Sequence, residues 1–151
     1  MEDERQRGNR NHEEYTARVE ELENICLDSD FLIKLLRNQK EEVAFIKEHR
    51  SRAFFATTFI NLFELYLGAY KSGSLEHVRH VYELQDRLIL LNLSEEAVRQ
   101  AGQIGAELEK KGLTVESKDL LIACIAQTEG FGIKTNNKKH FERIGKLHLF
   151  D

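Results

Sequence analysis

Asn24-Ile25-Cys26-Leu27-Asp28-Ser29-Asp30-Phe31-Leu32-Ile33 is the stretch from which the rest of the chain can be read. The apolar triplet Ile25–Leu27 has the length of a short buried strand, and it stops at a carboxylate. Ser29 or Asp30 is then placed to cap a helix running to about Arg37. A strand ending in an acid that leads directly into a helix is the opening of an α/β unit.

The same alternation continues outward. A second amphipathic helix fits Gln39 to His49, with Val43, Phe45 and Ile46 as inner residues. Ala53–Ala56 is a strand candidate, with Thr57 and Thr58 as N-cap options for a helix to Tyr70. That helix carries Phe59, Phe63, Tyr66 and Tyr70 at i, i+4, i+7 and i+11, a stripe read as core. Ser74 caps a helix to about Asp86, Leu88–Leu91 is a strand, and Ser94 opens a longer helix ending near Gly112. Ser117 caps a very apolar helix from Asp119 to about Thr128. Phe131–Lys134 is a strand, a short helix follows near Lys138, and Leu147–Phe150 is a last strand. Strands alternating with helices, without a hairpin signal, predict an α/β fold: a parallel sheet covered on both faces.

Composition bounds the class. With 151 residues, 41% hydrophobic and 32% charged, the chain suits one soluble domain of adequate core. Residues 1–23 are rich in Glu, Arg, Asn and Gln and read as a charged arm, disordered or loosely helical, ahead of a domain spanning 24–151. No apolar run approaches the roughly 20 residues of a membrane span. The charged N-terminus lacks an apolar signal core, so the expected location is the cytoplasm. Cys26 and Cys124 stand alone in apolar segments and read as reduced core residues. The net charge of −4 argues weakly against nucleic acid as a partner, but Lys134, Lys138, Lys139, Arg143 and Lys146 face only Glu142 in their segment. Such a segment beside an acidic pocket can hold phosphates; by charge alone it is equally a solvated helix face.

Four segments place an acid or amide beside apolar residues: Ile25–Asp28, Asn61–Glu64, Asp119–Ala123 and Thr135–Asn137. In open α/β sheets the ligand site lies beyond the carboxyl ends of the strands. Asp28 and Asn137 follow strands and reach that edge. Asp119 falls in the first turn of its helix, where backbone amides and the macrodipole are expected to keep it ionised. Glu64 follows the second strand on its helix. Taken singly, such acids are ordinary caps or solvated residues; four at matching topological places can share a pocket. Three carboxylates and an amide suit Mg²⁺ or Mn²⁺. A hard cation so held activates water and neutralises a phosphate, so the expected chemistry is phosphodiester hydrolysis.

These residues resemble the motifs of PIN-domain ribonucleases, particularly VapC-type toxins. Leu27-Asp28-Ser29-Asp30-Phe31-Leu32-Ile33 is similar to their opening motif, and Phe63-Glu64-Leu65 followed by Gly68 to the second. Asp119-Leu120-Leu121-Ile122-Ala123 resembles the third, and Thr135-Asn136-Asn137 with Phe141 the fourth. The resemblance runs from about Asn24 to Asp151. It implies a PIN-like three-layer α/β/α fold and a metal-dependent endoribonuclease, the toxin of a toxin–antitoxin pair. Asp28, Glu64 and Asp119 are the implied metal-binding acids, and Asn137 is a fourth catalytic position. Ser29, Asp30 and Thr135 are supporting residues, and Lys138, Lys139 and Arg143 are candidates for RNA contact. The implied partners are RNA, an antitoxin protein, which in such toxins docks near the Tyr66–Tyr70 helix, and a second copy of the chain. Because Asn137 carries no charge, one firmly held metal is expected rather than two. A PIN-like binding module without cleavage, or a nuclease or phosphatase acting on other phosphate esters, uses the same residues and stays open at this point.

Three further signals have ordinary readings. His77 and His80 are a surface pair without a third ligand in reach. Gly102-Gln103-Ile104-Gly105 mimics a KH loop but sits within a helical pattern, where close helix packing explains it. His140 either approaches a phosphate beside Asn137 or points into solvent, the second being its ordinary reading.

Overall fold

The computed structural model describes residues 22–151. Four strands, β1 (Glu23–Leu27), β2 (Ala53–Thr58), β3 (Ile89–Leu91) and β4 (Gly132–Lys134), form one parallel sheet in the order β3-β2-β1-β4. Ile25 lies opposite Phe55 on one side and Gly132 on the other, so β1 is paired along both edges. The arm expected at 1–23 lies outside the described residues except at its end, where Glu23 opens β1.

Six helices connect the strands: α1 (Ser29–Leu36), α2 (Lys40–His49), α3 (Phe59–Lys71), α4 (Leu75–Gln85), α5 (Glu95–Lys110) and α6 (Ser117–Thr128). Side chains alternate across β1, as a strand requires. Ile25 and Leu27 join Phe31, Leu32, Leu62, Leu65, Val78 and Val81 beneath α1–α4. Cys26 joins Ala97, Ala101, Ile122, Ile125 and Ile133 beneath α5 and α6. The result is the expected three-layer α/β/α sandwich.

Local details differ from the sequence reading for identifiable reasons. Asp28, rather than Ser29 or Asp30, caps α1, because its Oδ1 accepts the Ser29 N–H at 2.9 Å. Ser117 is the first residue of α6 and Glu116 its N-cap, with no side-chain cap bond. Leu147–Phe150 makes no full strand. It meets β4 at a single bridge, Ile133 with Leu149, through Ile133 N–H to His148 O and Phe150 N–H to Ile133 O, both 2.9 Å. Gly132 allows that approach, since a Cβ there would lie 2.6 Å from Phe150 Cε2 and 3.0 Å from His148 O.

The α3 stripe read as core is not core. Phe59, Phe63 and Tyr70 are 46%, 64% and 60% exposed, while Asn61, Leu62, Leu65 and Ala69 are buried. The helix is apolar on two sides, and the sheet takes the side of Leu62, Leu65 and Ala69, whose compact aliphatic chains fill the space over β1 and β2. Tyr66 is the partly buried member of the stripe, edge-on to Tyr82 at 5.2 Å, tilted against Tyr70 at 6.4 Å and donating to Gln85 Oε1 at 2.6 Å. In α2, Glu42 and His49 are buried beside Phe45, and Val43 is only partly covered. Gly102 and Gly105 lie within α5; a Cβ on Gly105 would touch Leu120 of α6 at 3.2 Å, so close helix packing explains Gly105, whereas Gly102 faces open space. His77 and His80 sit on α4 with Ser72 and Glu76 as their respective partners.

Candidate active site

The carboxyl ends of β1, β2 and β4 bring Asp28, Thr58 and Thr135 to one edge of the sheet. Thr58 caps α3 by accepting the Asn61 N–H at 3.1 Å, and its hydroxyl donates to Asn61 Oδ1 at 2.7 Å. That clamp fixes the fully buried Asn61 side chain, whose Nδ2 donates to Asp28 Oδ1 at 2.7 Å and to Ser29 Oγ at 2.9 Å. Thr135 Oγ1 stands 2.8 Å from Asp28 Oδ2 and 3.3 Å from both Asp30 oxygens; its one hydrogen goes to the nearer acceptor.

Asp28 therefore has three donors, all of them neutral: the Ser29 amide, Asn61 and Thr135. Burial, with the Asp30 charge adding to it, pushes its pKa from 3.8 up to about 6 against the lowering effect of those bonds. The other two acids have cationic neighbours. Glu64 Oε1 accepts from Ser29 Oγ and its Oε2 from Lys118 Nζ, both at 3.2 Å. Asp119, 4% exposed, meets His140 Nδ1 at 3.1 Å. Burial raises the Asp119 pKa, while His140 and then Lys118 pull it back. Asp119 lies in the first turn of α6 as expected, and its carboxylate turns towards His140.

Asn137 reaches the site indirectly. Its Nδ2 lies 3.0 Å from His140 Nε2, and its backbone N–H donates to Thr135 Oγ1 at 3.0 Å. His140 is consequently a site residue rather than a purely solvent-facing one, although its side chain is 48% exposed. Asp30 accepts the Phe31 N–H at 2.7 Å and the Asn136 N–H at 3.4 Å, tying α1 to the loop after β4. Among the basic residues, Lys138 is committed to Asp151 and so is drawn away from the acids. Lys139 and Arg143 line a cavity of about 270 Å³ beside Asp119.

The sequence does not single out Asn61 or Lys118 as site residues, and it leaves a site role for His140 as the lesser of two readings. Asn61 had a signal, a polar side chain at the first turn of an apolar helix beneath a Thr-Thr pair. Lys118 has none and His140 only its closeness to Asn137, because their roles depend on which way neighbouring elements face.

The donor set fits a hard cation. Asp28 is partly desolvated and held by neutral donors alone, and the candidate ligands Asp28, Glu64 and Asp119 offer the carboxylate oxygens that a hard cation prefers. Among the described residues no three Asp, Glu, His or Cys side chains close tightly on one point. A cation that keeps several waters and takes one or two carboxylates directly matches that spacing.

The PIN domain family model matches residues 25–147. The tRNA(fMet)-specific endonuclease VapC of Salmonella typhimurium is 33% identical over 126 residues, which are 83% of this chain and 95% of that protein. The structure of VapBC2 from Rickettsia felis bound to a DNA fragment from its promoter superposes with a TM-score of 0.77 at 28% identity, covering 84% of this chain and 97% of that one. DNA-bound VapBC from Salmonella typhimurium gives a TM-score of 0.73 at 32% identity, over 86% and 98% of the two chains. The acids at the sheet edge and these likenesses together make the chain a member of the PIN-domain family, within its VapC group.

Proposed function

We propose that this chain is a metal-dependent endoribonuclease, the toxin of a toxin–antitoxin pair, and that it hydrolyses RNA phosphodiester bonds. The observation that carries the reading is Asp28, a half-buried carboxylate at the strand ends held by three neutral donors, with Glu64 and Asp119 on the neighbouring helices. Asp28, Glu64 and Asp119 would hold Mg²⁺ or Mn²⁺, which when bound acidifies a water and offsets phosphate charge.

The protein's own groups prepare that chemistry. Asn61 and Thr135 fix the direction of Asp28, and Ser29 with Lys118 fixes Glu64. Asn137 holds the His140 ring, which in turn sets Asp119. Lys139 and Arg143 supply positive charge for the RNA backbone.

The exposed face of α3, with Phe59, Phe63, Leu67 and Tyr70, is a contiguous apolar surface of the kind that marks a protein interface. It is assigned to the cognate antitoxin and to a second copy of the chain. No helix among the described residues is long and apolar enough to cross a membrane, and cytoplasmic action on RNA is part of the proposal.

The test is RNA cleavage in Mn²⁺ by the purified protein and by Asp28→Asn and Asp119→Asn. Both variants should lose at least about a hundredfold in rate with the far-UV spectrum kept, the scale of losing one transition-state charge contact. Unchanged cleavage by both would overturn the assignment.

A further inference from the structure

The cavity beside Asp119 has two chemically different sides. Lys139 and Arg143 come from the 3₁₀ turn Lys138–His140 and the segment after it; Thr114, Val115 and Glu116 come from the loop between α5 and α6. Arg143 Nη1 donates to Thr114 O at 3.0 Å, which bridges the two sides and leaves the rest of the guanidinium facing outward. His140, on Asp119, forms the boundary with the acidic site. Lys138, the neighbouring cation, is removed by its pairing with Asp151.

We infer that this cavity is a single-nucleotide subsite flanking the scissile phosphate, in which Lys139 and Arg143 hold the adjacent phosphate and Glu116 reads the base. The inference rests on the endoribonuclease reading above. An Arg tethered through one nitrogen keeps a planar edge for phosphate oxygens, and Lys139 adds a point charge. Glu116 has the wrong charge for a phosphate and the right one for an exocyclic amino group. A carboxylate accepts from the cytosine N4 amino group, whereas uracil places a carbonyl oxygen at that position, whose lone pairs repel the carboxylate. A volume of about 270 Å³ suits one unstacked nucleotide, not a duplex groove. The substrate it fits is single-stranded RNA with an amino-bearing base beside the cleaved bond.

Binding of a short fluorescein-labelled single-stranded RNA, measured by anisotropy across a salt series in the Asp28→Asn background, tests the phosphate half. Adding Lys139→Ala with Arg143→Ala should lower the slope of log K against log salt by about 0.7, the counterion release of one single-strand phosphate. Lys138→Ala should leave the slope unchanged. An equal fall with Lys138→Ala, or none with the double variant, overturns the subsite. For the base half, RNAs differing only as C or U beside the cleaved bond are compared in Mn²⁺. Glu116→Ala should reduce the preference for C by about tenfold, the worth of one base-edge hydrogen bond. A preference that is absent in the parent protein or unmoved by Glu116→Ala overturns that half. A parent protein that cleaves no RNA in Mn²⁺ defeats the endoribonuclease reading instead, so the two failures are distinguishable.

Discussion

Replacing Asp28 by Asn should remove cleavage and, without metal, make the protein more stable. An amide preserves every contact of the carboxylate. Its oxygen keeps the Ser29 N–H at 2.9 Å and Asn61 Nδ2 at 2.7 Å. Its NH₂ group faces Thr135 Oγ1 in place of the oxygen now 2.8 Å away, and the hydroxyl hydrogen turns to Asp30, 3.3 Å away. Only the charge is lost. Burial and the Asp30 charge raise the Asp28 pKa from 3.8 to about 6, so at 1.36 kcal/mol per pH unit the ionised group costs the metal-free fold about 3 kcal/mol. Burial of the amide takes back about 1 kcal/mol, which leaves a gain of ~2 kcal/mol.

The pH dependence has a definite sign. Between 3.8 and about 6 the folded chain holds a proton on Asp28 that the unfolded chain has released. Stability therefore falls as pH rises through that window, and the whole penalty is present above it. Urea unfolding in EDTA should show the variant ahead by ~2 kcal/mol at about pH 7.5, with the advantage gone near pH 4. Saturating Mn²⁺ should reverse the order at neutral pH, because it stabilises only a chain that binds it. A variant less stable than the parent in EDTA at neutral pH would refute the account of Asp28 as an uncompensated charge.

Asn61→Ala removes a buried amide that serves Asp28, Ser29 and Thr58 together, and should destabilise by about 2–4 kcal/mol in urea. A loss below about 1 kcal/mol would mean the clamp is not needed. Gly132→Ala drives a Cβ into Phe150 and the His148 carbonyl, so calorimetry should show Tm lower by roughly 5 °C and proteolysis should release the C-terminal segment first. An unchanged Tm would show that the segment yields freely. Phe63→Arg, on a side chain 64% exposed, should leave stability within about 0.5 kcal/mol while light scattering shows a dimeric parent and a monomeric variant. A variant that stays dimeric would move the interface off α3.

Much of the fold was legible because the strands are short apolar runs ending in polar residues. Ile25–Leu27, Ala53–Ala56 and Ile89–Leu91 could hardly be amphipathic helices at that length. The helices announced themselves by caps: Thr58, Ser74 and Ser94 each accept the N–H three residues on. Gly112 ends α5 at φ +71°, where other residues are strained. The exposed aromatic stripe of α3 was misread because periodicity reports that a helix has an apolar face, not which of two faces the sheet will take. Phe59, Phe63 and Tyr70 repeat on the helix as well as Leu62, Leu65 and Ala69 do. Leu147–Phe150 was misread because its composition suits a strand, whereas the single bridge it makes depends on its approach to Gly132.

The amino-acid sequence by itself determined the α/β class, the run of elements and the acids Asp28, Glu64 and Asp119, because hydrophobic period, caps and motif order are local properties. Which cation faces which acid was decided only by the tertiary structure. Lys118 on Glu64 and Lys138 on Asp151 link residues 54 and 13 positions apart. His140 and Asp119 come from two segments that meet only once β4 is laid against β1. Electrostatics acts through space over a few ångströms, so a lysine's partner is set by how helices and sheet pack and not by its neighbours in the chain. For the same reason, the sequence places Asp28 at the end of β1 but shows neither its donors nor its role as the cap of α1. Only in the folded chain is Asp28 a half-buried carboxylate with neutral donors alone, the property on which its chemistry turns.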